Sequence, residues 1–276
     1  MRFSEETIIS KNNRNLINTA SLYEKKYREL YGLFIAEGKK LFLEAVGCGL
    51  DISSVYIAES RKNFFIEMIS AVTDEKYNSV PVYIVSDACF SKISSEKAPQ
   101  GIITTIKYLD NYKKYNIINI KEEEKTADPI KKTLMLCDMQ DPGNLGSVIR
   151  SAVALGADRI IMSSGCADVF NTKTVRAAMG SLFRVELTEV SDFAGTVKAL
   201  RNSGRRVFAA ELTDGAVSLD CVSLSQSDIV IIGNEGHGIP AEVSSVCDKS
   251  IYIPIKAGVD SLNASVAAAL FMYAQR

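Results

Sequence analysis

Three segments in the C-terminal half of the chain combine uncharged polar residues with glycine and proline. They are DPGNLGSVIRSAVALGA (residues 141–157), IIGNEGHGIP (231–240) and IPIKAGVDSLNASVAAA (253–269). Each has the pattern of a strand end, a turn and a helix start. Amide and hydroxyl side chains at such a place can hold a ligand through hydrogen bonds. The three segments therefore predict a binding site.

The first segment predicts a helix with a defined start. Asp141 can accept hydrogen bonds as the N-cap, and Pro142 suits the first helical position because it has no amide hydrogen. Asn144 and Arg150 lie away from the apolar positions of this helix and are available to a ligand. The alternative is that Asn144 only helps to cap the helix and that Arg150 only faces solvent.

The second segment predicts a turn that lines a ligand. Gly233, Gly236 and Gly238 allow a close backbone approach or a positive φ. The spacing matches neither GxGxxG nor GxxxxGK[ST], so the usual dinucleotide and P-loop sites lack their residues. Glu235 can accept a hydrogen bond from a ribose hydroxyl or orient a catalytic group, or it is a turn carboxylate in water. His237, the single histidine, has a suitable pKa range for a base but no evident partner, and we assign it no role.

The third segment predicts a second helix start that faces a ligand. Ser261 is the predicted N-cap, Leu262 opens the apolar stripe, and Asn263 lies in the first turn. Free amide hydrogens and the positive helix end at that place can hold a carboxylate or an oxyanion.

The elements around these segments alternate regularly between strands and helices. Apolar strands that alternate with helices predict an α/β domain with a mostly parallel sheet and helices on both faces. Ligands collect at the carboxyl ends of such strands, where all three segments begin. The predicted strands are TLMLCDM, RIIMSS, VELTEV, VFAAEL, DIVIIG and SIYIPI, with helices from Pro142, Thr172, Phe193, Pro240 and Leu262.

The N-terminal part predicts a separate, small α/β domain. Residues 15–46 have the pattern helix, strand, helix, and further strands follow at 55–58, 80–85 and within APQGIITTIKY. Residues 109–132 are polar and charge-blocked, which is typical of a linker. We therefore predict a domain at 1–108, a linker at 109–132 and a catalytic domain at 133–276.

Composition restricts the class of protein. The 276 residues are 47% hydrophobic and 24% charged, as in an ordinary globular protein. No apolar run reaches the roughly 18 to 20 residues that span a bilayer, and the N-terminus lacks a signal sequence, so we expect no membrane association and a cytoplasmic location. The six cysteines form no CxxC pair, which favours reduced thiols and predicts no metal site.

Charge allows only a local nucleic-acid surface. The net charge of −1 excludes a globally basic field, but seven basic residues face three acidic ones between Lys11 and Lys40. A helix with a solvated, mixed-charge face explains this cluster equally well when it is considered alone.

The three segments resemble, in order, the three motifs of the SpoU (TrmH-type) family of RNA ribose 2′-O-methyltransferases, within the SPOUT superfamily. VRAAMGSLFRV (175–185) is similar to the family's segment between its first two motifs. YRELYGLFIAEGKKLFLEAV and APQGI are similar to the family's small ribosomal-protein-like RNA-binding domain. The resemblance covers nearly the whole chain apart from the linker.

This resemblance implies a fold, a cofactor and an assembly. The fold is a sheet whose C-terminal segment forms a trefoil knot, the cofactor is S-adenosylmethionine, and the assembly is a homodimer with active sites near the subunit seam. The family's cofactor-contacting positions match Gly233, Ile253 and Leu262. The polar positions of its catalytic site match Asn144, Arg150, Glu235, Ser261 and Asn263.

The resemblance also implies roles for charged residues. Arg150 would organise and polarise the ribose hydroxyl and a phosphate, because a guanidinium is nearly always protonated and is a poor base. The candidates for phosphate contacts are Lys25, Lys26, Arg28, Lys39 and Lys40.

Sequence and resemblance together predict an S-adenosylmethionine-dependent RNA 2′-O-ribose methyltransferase. Ribosomal RNA is the preferred substrate, because a separate N-terminal domain suits a large folded target, and transfer RNA is the alternative. A catalytically silent RNA-binding or ribosome-assembly protein of the same fold is a second alternative, which the retained polar residues disfavour. A nicotinamide or nucleotide enzyme is a third, disfavoured by the missing glycine fingerprint.

Overall fold

The computed structural model describes residues 1–117, 131–259 and 261–275. Two compact units are present. The N-terminal unit comprises Met1–Leu109 and Asp168–Phe183, and the C-terminal unit comprises Asp110–Ala167 and Arg184–Arg276. None of the helices in the described part of the chain has the length and apolar composition that crossing a bilayer requires.

The N-terminal unit contains a five-stranded mixed sheet with the order β1-β4-β3-β5-β2. Strands β1, β4 and β3 are parallel, and β5 is antiparallel to both β3 and β2. The strands are β1 (Arg2–Phe3), β2 (Leu33–Glu37), β3 (Ile52–Ala58), β4 (Pro81–Val85) and β5 (Ile102–Lys107).

The predicted order of helix, strand, helix is only partly right for the first part of the N-terminal unit, because two helices rather than one precede β2 and a third follows it. Five α-helices precede β5. One face of the sheet is buried by a cluster that joins Leu16 of the first helix and Phe90 of the fifth to Tyr56 and Ile103 of the sheet. The helices are α1 (Arg14–Ser21), α2 (Lys25–Tyr31), α3 (Lys39–Gly47), α4 (Lys62–Ser70) and α5 (Asp87–Ile93).

A segment from the middle of the chain completes the N-terminal unit. Helix α7 (Thr172–Ala178) begins where the sequence predicts it and packs on β2. Ahead of it, Phe170 is buried with its ring centroid 4.8 Å from that of Phe34 and 4.2 Å from that of Tyr108. The N-terminal unit is therefore discontinuous in sequence.

The C-terminal unit contains an eight-stranded sheet with the order β11-β13-β10-β12-β7-β8-β9-β6. Every pair of neighbouring strands in it is parallel. The strands are β6 (Tyr112–Tyr115), β7 (Thr133–Leu136), β8 (Arg159–Ser163), β9 (Glu186–Val190), β10 (Val207–Ala210), β11 (Val217–Ser218), β12 (Ile229–Ile232) and β13 (Lys249–Tyr252).

Both faces of this sheet are covered. All residues of β7, β8 and β12 are buried, and because side chains alternate along a strand, neither face is open to solvent. Helices α8 and α9 bury one face, and α10 packs against α6 and β12. The prediction of a parallel α/β sheet flanked by helices is confirmed. The helices are α6 (Pro142–Ala154), α8 (Phe193–Asn202), α9 (Ala241–Ser244) and α10 (Ala264–Ala274).

The predicted N-cap is confirmed for α6 but not for α10. Asp141 caps α6 as predicted, since its Oδ1 accepts a hydrogen bond from the Asn144 amide at 2.7 Å, and Pro142 is the first helical residue. The prediction of Ser261 as the N-cap of α10 is wrong. Asn263 is the N-cap, because its Oδ1 accepts a hydrogen bond from the Ser265 amide at 2.9 Å.

Part of the predicted linker belongs to the sheet. Strand β6 lies within residues 109–132 and pairs with β9, and the Tyr112 hydroxyl donates to Glu189 Oε2 at 2.7 Å. The backbone of these four residues completes the sheet edge, although their side chains are mostly exposed. Residues 118–130 lie outside the described residues. The remaining boundaries stay a prediction.

The far ends of α6 and α10 are tied together by one buried cation. The Lys132 ammonium donates to the carbonyl oxygens of Leu155, Met272 and Gln275, each at 2.9 Å. The Gln275 side-chain amide donates to the Asp228 carbonyl at 2.8 Å. Carbonyl groups that a helix end leaves without partners are thereby satisfied, and the position of α10 is fixed at its C-terminus.

Candidate functional site

The carboxyl ends of four neighbouring strands define the site. Strands β13, β10, β12 and β7 are adjacent in that order, so the loops that follow them leave the sheet side by side. The three segments singled out in the sequence follow β7, β12 and β13, and they meet at this edge. Polar residues from the three loops therefore contribute to one shared site at this edge of the sheet.

One side chain from each segment joins a continuous chain of hydrogen bonds. The Asn144 amide nitrogen Nδ2 donates to Glu235 Oε1 at 2.7 Å. The Asn263 Nδ2 donates to Asn144 Oδ1 at 3.0 Å. The structure thus brings together three of the five predicted catalytic residues, which are 91 and 119 positions apart in the sequence.

The direction of these hydrogen bonds is determined from one end. Asn263 Oδ1 accepts from the amide of Ser265 at 2.9 Å and from its hydroxyl at 2.6 Å, so only the Nδ2 of Asn263 is left for Asn144. Asn144 must then accept with Oδ1, and its Nδ2 is left to donate to Glu235. Glu235 is exposed, and the other two side chains lie at the surface of their helix starts, so a substrate can reach all three.

A second asparagine, Asn234, shapes the loop that carries Glu235. Its backbone exchanges two hydrogen bonds with Gly238, at 3.0 and 2.9 Å, and its Oδ1 accepts from the amides of Gly236 and His237 at 2.8 and 3.1 Å. Its Nδ2 donates to the Asp138 carbonyl after β7 at 2.7 Å. Sequence reasoning missed Asn234. The signal was present, because asparagine is a preferred residue for capping turns.

Of the predicted cofactor positions, Gly233 is the one at which the structure most clearly requires a glycine. A Cβ atom on this residue would lie 2.6 Å from both the carbonyl carbon and the oxygen of Gly238. Gly238 itself has a φ of +68°, a region that glycine enters without strain. Backbone packed this closely presents amide and carbonyl groups rather than side chains. Such a surface can hold a ligand through backbone hydrogen bonds.

The other two predicted cofactor positions lie on the loops next to Gly233. Ile253 follows β13 directly, and Leu262 precedes the N-cap of α10. Both side chains are partly buried. An apolar side chain at each of these places can cover the flat face of an adenosine group.

The loop after β10 was missed by sequence reasoning. Strand β10 lies between β12 and β13, and the Glu211 amide donates to the Ile251 carbonyl at 3.0 Å. The Glu211 carboxylate accepts from the hydroxyls of Ser244 and, at 2.6 Å, Ser250. Next to it, Leu212 is 77% exposed at the same edge as Gly233. The apolar strand was predicted, but its place between the loops that carry Gly233 and Ile253 depends on strand order.

Two predicted catalytic residues are not joined to the hydrogen-bond chain. Arg150 is exposed and lies six residues beyond Asn144, about 9 Å along the axis of α6. Ser261 is exposed in the loop before α10. Neither side chain makes a hydrogen bond or ion pair within residues 1–117, 131–259 and 261–275.

The ends of β7 and β8 are joined by hydrogen bonds between Asp138 and Ser163. The two cysteines near this contact, Cys137 and Cys166, are not reactive thiols. Asp138 has a φ of 52°, and its amide and carboxylate both bond to the Ser163 hydroxyl, at 2.8 and 2.6 Å. Burial raises the pKa of Cys137 to about 12 and that of Cys166 to about 11. Both thiols are therefore protonated at neutral pH and are neither nucleophiles nor bases.

The predicted RNA-binding residues of the N-terminal unit separate into two groups. Lys25, Lys26, Lys39 and Lys40 are exposed. Arg28 is buried, which removes it from the predicted phosphate-binding surface of this structure. It pairs with Asp168 and donates to two backbone carbonyls.

The contacts of Arg28 explain its burial. Its Nη2 lies 2.5 Å from Asp168 Oδ2, and its Nη1 donates to the carbonyls of Leu22 and Tyr23, each at 2.8 Å. A buried guanidinium requires such partners. Arg28 therefore connects α2 to the discontinuous segment of its own unit.

An eight-stranded parallel sheet with a chain of amide and carboxylate groups at its carboxyl edge defines a ligand-binding α/β enzyme domain. A sequence profile of the SpoU rRNA Methylase family matches residues 131–273, more than half of the chain, and the chain belongs to this family. A second profile, of the MRM3-like substrate binding domain, matches residues 13–104.

Similar proteins match most of the length of this chain. The 23S rRNA (guanosine(2553)-2'-O)-methyltransferase RlmP of Bacillus subtilis is 29% identical over 96% of this chain and 97% of its own. A TrmH family tRNA/rRNA methyltransferase of Staphylococcus aureus is 30% identical over 86% and 92%. An rRNA methyltransferase from Sinorhizobium meliloti is 27% identical, with a TM-score of 0.80 over 98% and 96%.

A structure of an AdoMet-bound rRNA methyltransferase from Sinorhizobium meliloti is also 27% identical and has a TM-score of 0.78 over 98% of this chain and 96% of its own. Family, relatives and fold agree in class. The protein is an S-adenosylmethionine-dependent RNA methyltransferase, and the sequence-based predictions of the family, the fold class and the cofactor are confirmed.

Proposed function

We propose that this enzyme transfers a methyl group from S-adenosylmethionine to a ribose 2′-hydroxyl of ribosomal RNA. The observation that carries the proposal is the hydrogen-bond chain Glu235–Asn144–Asn263 at the sheet edge that also carries the Gly233 loop. Support for this substrate comes from the Bacillus subtilis relative, whose name describes a 23S rRNA 2'-O-methyltransferase and which matches along nearly its whole length.

The residues that would hold the cofactor surround the carboxyl ends of three adjacent strands. They are the predicted Gly233, Ile253 and Leu262, to which the strand order adds Leu212. When bound, S-adenosylmethionine supplies an electrophilic methyl group on a sulfonium sulfur. The protein's contribution is to hold that group and the ribose in a reactive geometry, which can supply a large part of the rate.

The polar residues would orient the ribose. Asn144, Glu235 and Asn263 already position one another, so a ribose that meets them finds donors and an acceptor in fixed places. Ser261 adds a hydroxyl from the neighbouring loop. We assign Arg150 to the hydroxyl and an RNA phosphate as a hydrogen-bond donor, since a guanidinium group presents five N–H donors and no acceptor.

A homodimer is part of the proposal. The outward face of α10 carries Val266, Leu270 and Tyr273, with exposures of 47%, 41% and 59%. Their i, i+4, i+7 spacing places them on one stripe of the helix. Exposed apolar stripes of this kind mark interfaces. The opposite face of α10 packs on α6 of the same chain, and α6 carries Arg150. An interface on α10 would therefore lie near Arg150, which supports an active site near the subunit seam.

The N-terminal unit is proposed to bind the RNA. Its match to a substrate-binding profile and its exposed Lys25, Lys26, Lys39 and Lys40 support this role. Lys26 pairs with Glu24 at 3.0 Å, but both side chains are solvent-exposed, and such pairs yield readily to a phosphate. We further propose that the C-terminal segment forms a trefoil knot, because the chain belongs to this family. We also propose a cytoplasmic location, because the proposed substrate is ribosomal RNA.

Labelled methyl transfer tests the proposal. Ribosomal RNA and transfer RNA from cells that lack the gene should be incubated with enzyme and labelled S-adenosylmethionine, and the modified ribose mapped. Methylation of ribosomal RNA at a 2′-hydroxyl is expected. Transfer RNA as the preferred acceptor would replace the substrate assignment, and no transfer to either RNA would refute the function.

Arg150 tests the assignment of the site. Arg150→Ala should lower methyl transfer at least about 100-fold, because a donor to developing charge is lost, while S-adenosylhomocysteine still raises the melting temperature. Lys198→Ala, an exposed cation on α8 of the same unit, is the matched control and should transfer normally. Full activity of Arg150→Ala would remove Arg150 from the mechanism.

A further inference from the structure

The N-terminal unit contains a cavity whose lining does not include Lys39 or Lys40, two of the proposed phosphate-binding residues. Its volume is about 220 Å³, and it is bounded by α1, the end of α2 and the sheet face at the beginnings of β3 and β4. Its walls combine three tyrosine rings with amide and hydroxyl side chains. The lining includes Asn15, Asn18, Tyr31, Ser54, Tyr56, Tyr83 and Thr105.

The aromatic walls are partly preorganised. Tyr56 and Tyr83 are paired across β3 and β4, with ring centroids 5.3 Å apart and an interplanar angle of 26°. Tyr56 is buried, so its ring is held in place by the core beneath it. Tyr31 is 46% exposed at the cavity mouth. A flat ring system that enters the cavity therefore meets aromatic faces both inside and at the entrance.

The polar groups of the cavity are suited to the edge of such a ring system. Ser54 and Thr105 are buried and share a hydrogen bond of 2.7 Å, and each hydroxyl can still accept from a ligand. The side-chain amides of Asn15 and Asn18 have no hydrogen-bond partner among the described residues. Each amide offers a donor and an acceptor side by side, the pattern that reads the edge of a base.

The approach to the cavity combines positive charge with aromatic rings. On α2, the Lys26 ammonium lies 4.7 Å from the centroid of the Tyr27 ring. The Tyr27 ring in turn stacks at 6.2 Å on Tyr31, the residue at the cavity mouth. Successive aromatic faces beside a cation are the features with which proteins bind single-stranded nucleic acid.

We infer that this cavity binds one unpaired nucleobase of the RNA substrate. The inference rests on the proposed RNA function and adds to it a place where a base is recognised. A volume of 220 Å³ is below the roughly 300–1,000 Å³ of sites for drug-sized ligands, so the cavity suits a single ring system rather than a whole cofactor. Bases in loops and bulges are available for such capture, whereas bases within a helix are not.

The test uses the full chain and a seven-nucleotide single-stranded oligoribonucleotide with 2-aminopurine at its centre. Binding should quench the 2-aminopurine fluorescence. Tyr31→Ala and Asn18→Ala should each raise the Kd at least about fivefold, since one stacking face or one edge contact is lost. Both residues lie at the surface, so the variants should fold.

Two neighbours outside the cavity lining serve as matched controls. The control variants are Leu30→Ala and Ile17→Ala. Leu30 precedes Tyr31 on α2, and Ile17 precedes Asn18 on α1. Both side chains are exposed, at 70% and 54%, and neither lines the cavity. Both controls should bind as the unaltered protein does. The oligoribonucleotide annealed to its complement should bind more weakly, because its central base is stacked within a duplex.

Three outcomes would overturn the inference: no fluorescence change with the unaltered protein, equal loss in all four variants, or no loss in any of them. A cavity that receives a protein side chain would give the first outcome. Binding of S-adenosylhomocysteine and methyl transfer are measured on the same preparations. Loss of S-adenosylhomocysteine binding and of methyl transfer, with oligoribonucleotide binding intact, would refute the proposed function. Loss of oligoribonucleotide binding alone would refute only the base-binding cavity.

Discussion

At the scale of single residues, Asn144 holds the proposed catalytic site together. It is the only one of the three connected side chains that bonds to both of the others, and its backbone is fixed by the Asp141 cap. One asparagine in the first turn of α6 therefore joins the loops that follow β7, β12 and β13. A change at this residue should disturb the site without disturbing the core, since the side chain is only partly buried.

Asn144→Asp tests this role with a nearly isosteric change. The new carboxylate would lose the donor to Glu235 and lie beside its oxygen at about the present 2.7 Å, where like charges repel. We expect kcat/KM for RNA to fall at least about tenfold, with the free energy of unfolding changed by less than about 1 kcal/mol. Ser147→Ala, one turn further along α6, should leave both unchanged. Normal methyl transfer by Asn144→Asp would show that the hydrogen-bond chain is not needed.

Gly233 allows an equally specific prediction about the cofactor. In Gly233→Ala the added Cβ would meet the Gly238 backbone at 2.6 Å, so the loop must move. Gly236→Ala is the matched control, because a Cβ there meets nothing closer than Asn234 Oδ1 at 3.5 Å. Calorimetric titration with S-adenosylhomocysteine should show binding at least about tenfold weaker for Gly233→Ala and nearly unchanged for Gly236→Ala. Equal affinities would contradict the assignment of the loop.

At the scale of elements, the site depends on how the ends of β12 and α10 are anchored. Asp228 precedes β12, where its two carboxylate oxygens accept from Arg206 at 2.8 and 2.5 Å and from the Ser225 amide at 2.7 Å. Its carbonyl accepts from Gln275 at the end of α10. Burial by itself would raise the pKa of Asp228, but the hydrogen bonds from Arg206 and Ser225 outweigh it, and the pKa is lowered.

A lowered carboxylate pKa makes a stability contribution that depends on pH. The contribution is present above the ordinary aspartate pKa of about 3.9 and is lost as pH falls through the folded-state value. Asp228→Asn should therefore lower the free energy of unfolding by about 1–3 kcal/mol at pH 7, with a smaller difference from the unaltered protein below about pH 4. Urea unfolding measures this, with the exposed Asp214→Asn as control. A pH-independent difference would contradict the role of the charge.

The elements also show which features a sequence can predict. Apolar strands and Asp141 before Pro142 are local signals, so the element order and the start of α6 were predictable. Ser261 and Asn263 are both good caps two residues apart, and only the bond to the Ser265 amide decides between them. Strand β6 is polar and mostly exposed, so its sequence, YKKY, lacks the alternation of a strand with one buried face.

At the scale of the whole chain, non-local packing decides what the sequence cannot show. Three separated segments were expected to meet because parallel strands share a carboxyl edge, and Asn144, Glu235 and Asn263 do meet. The position of β10 between the proposed cofactor loops depends on strand order, which cannot be read from the periodicity of the sequence. Likewise, nothing local indicates that residues 168–183 pack into the N-terminal unit, where Arg28 is buried against Asp168.

The proposed homodimer gives the last prediction, because a single chain leaves the apolar stripe of α10 uncovered. Leu270→Arg would place a charge in the middle of this stripe, and burying an unpaired charge at an interface is costly. Light scattering after gel filtration should give a dimer mass for the unaltered protein and a monomer mass for this variant. Leu30→Arg, an exposed leucine of the N-terminal unit, should remain a dimer. If Arg150 acts near the seam, methyl transfer should be lost together with the ability to form the dimer. A fully active monomer would show that one chain is sufficient.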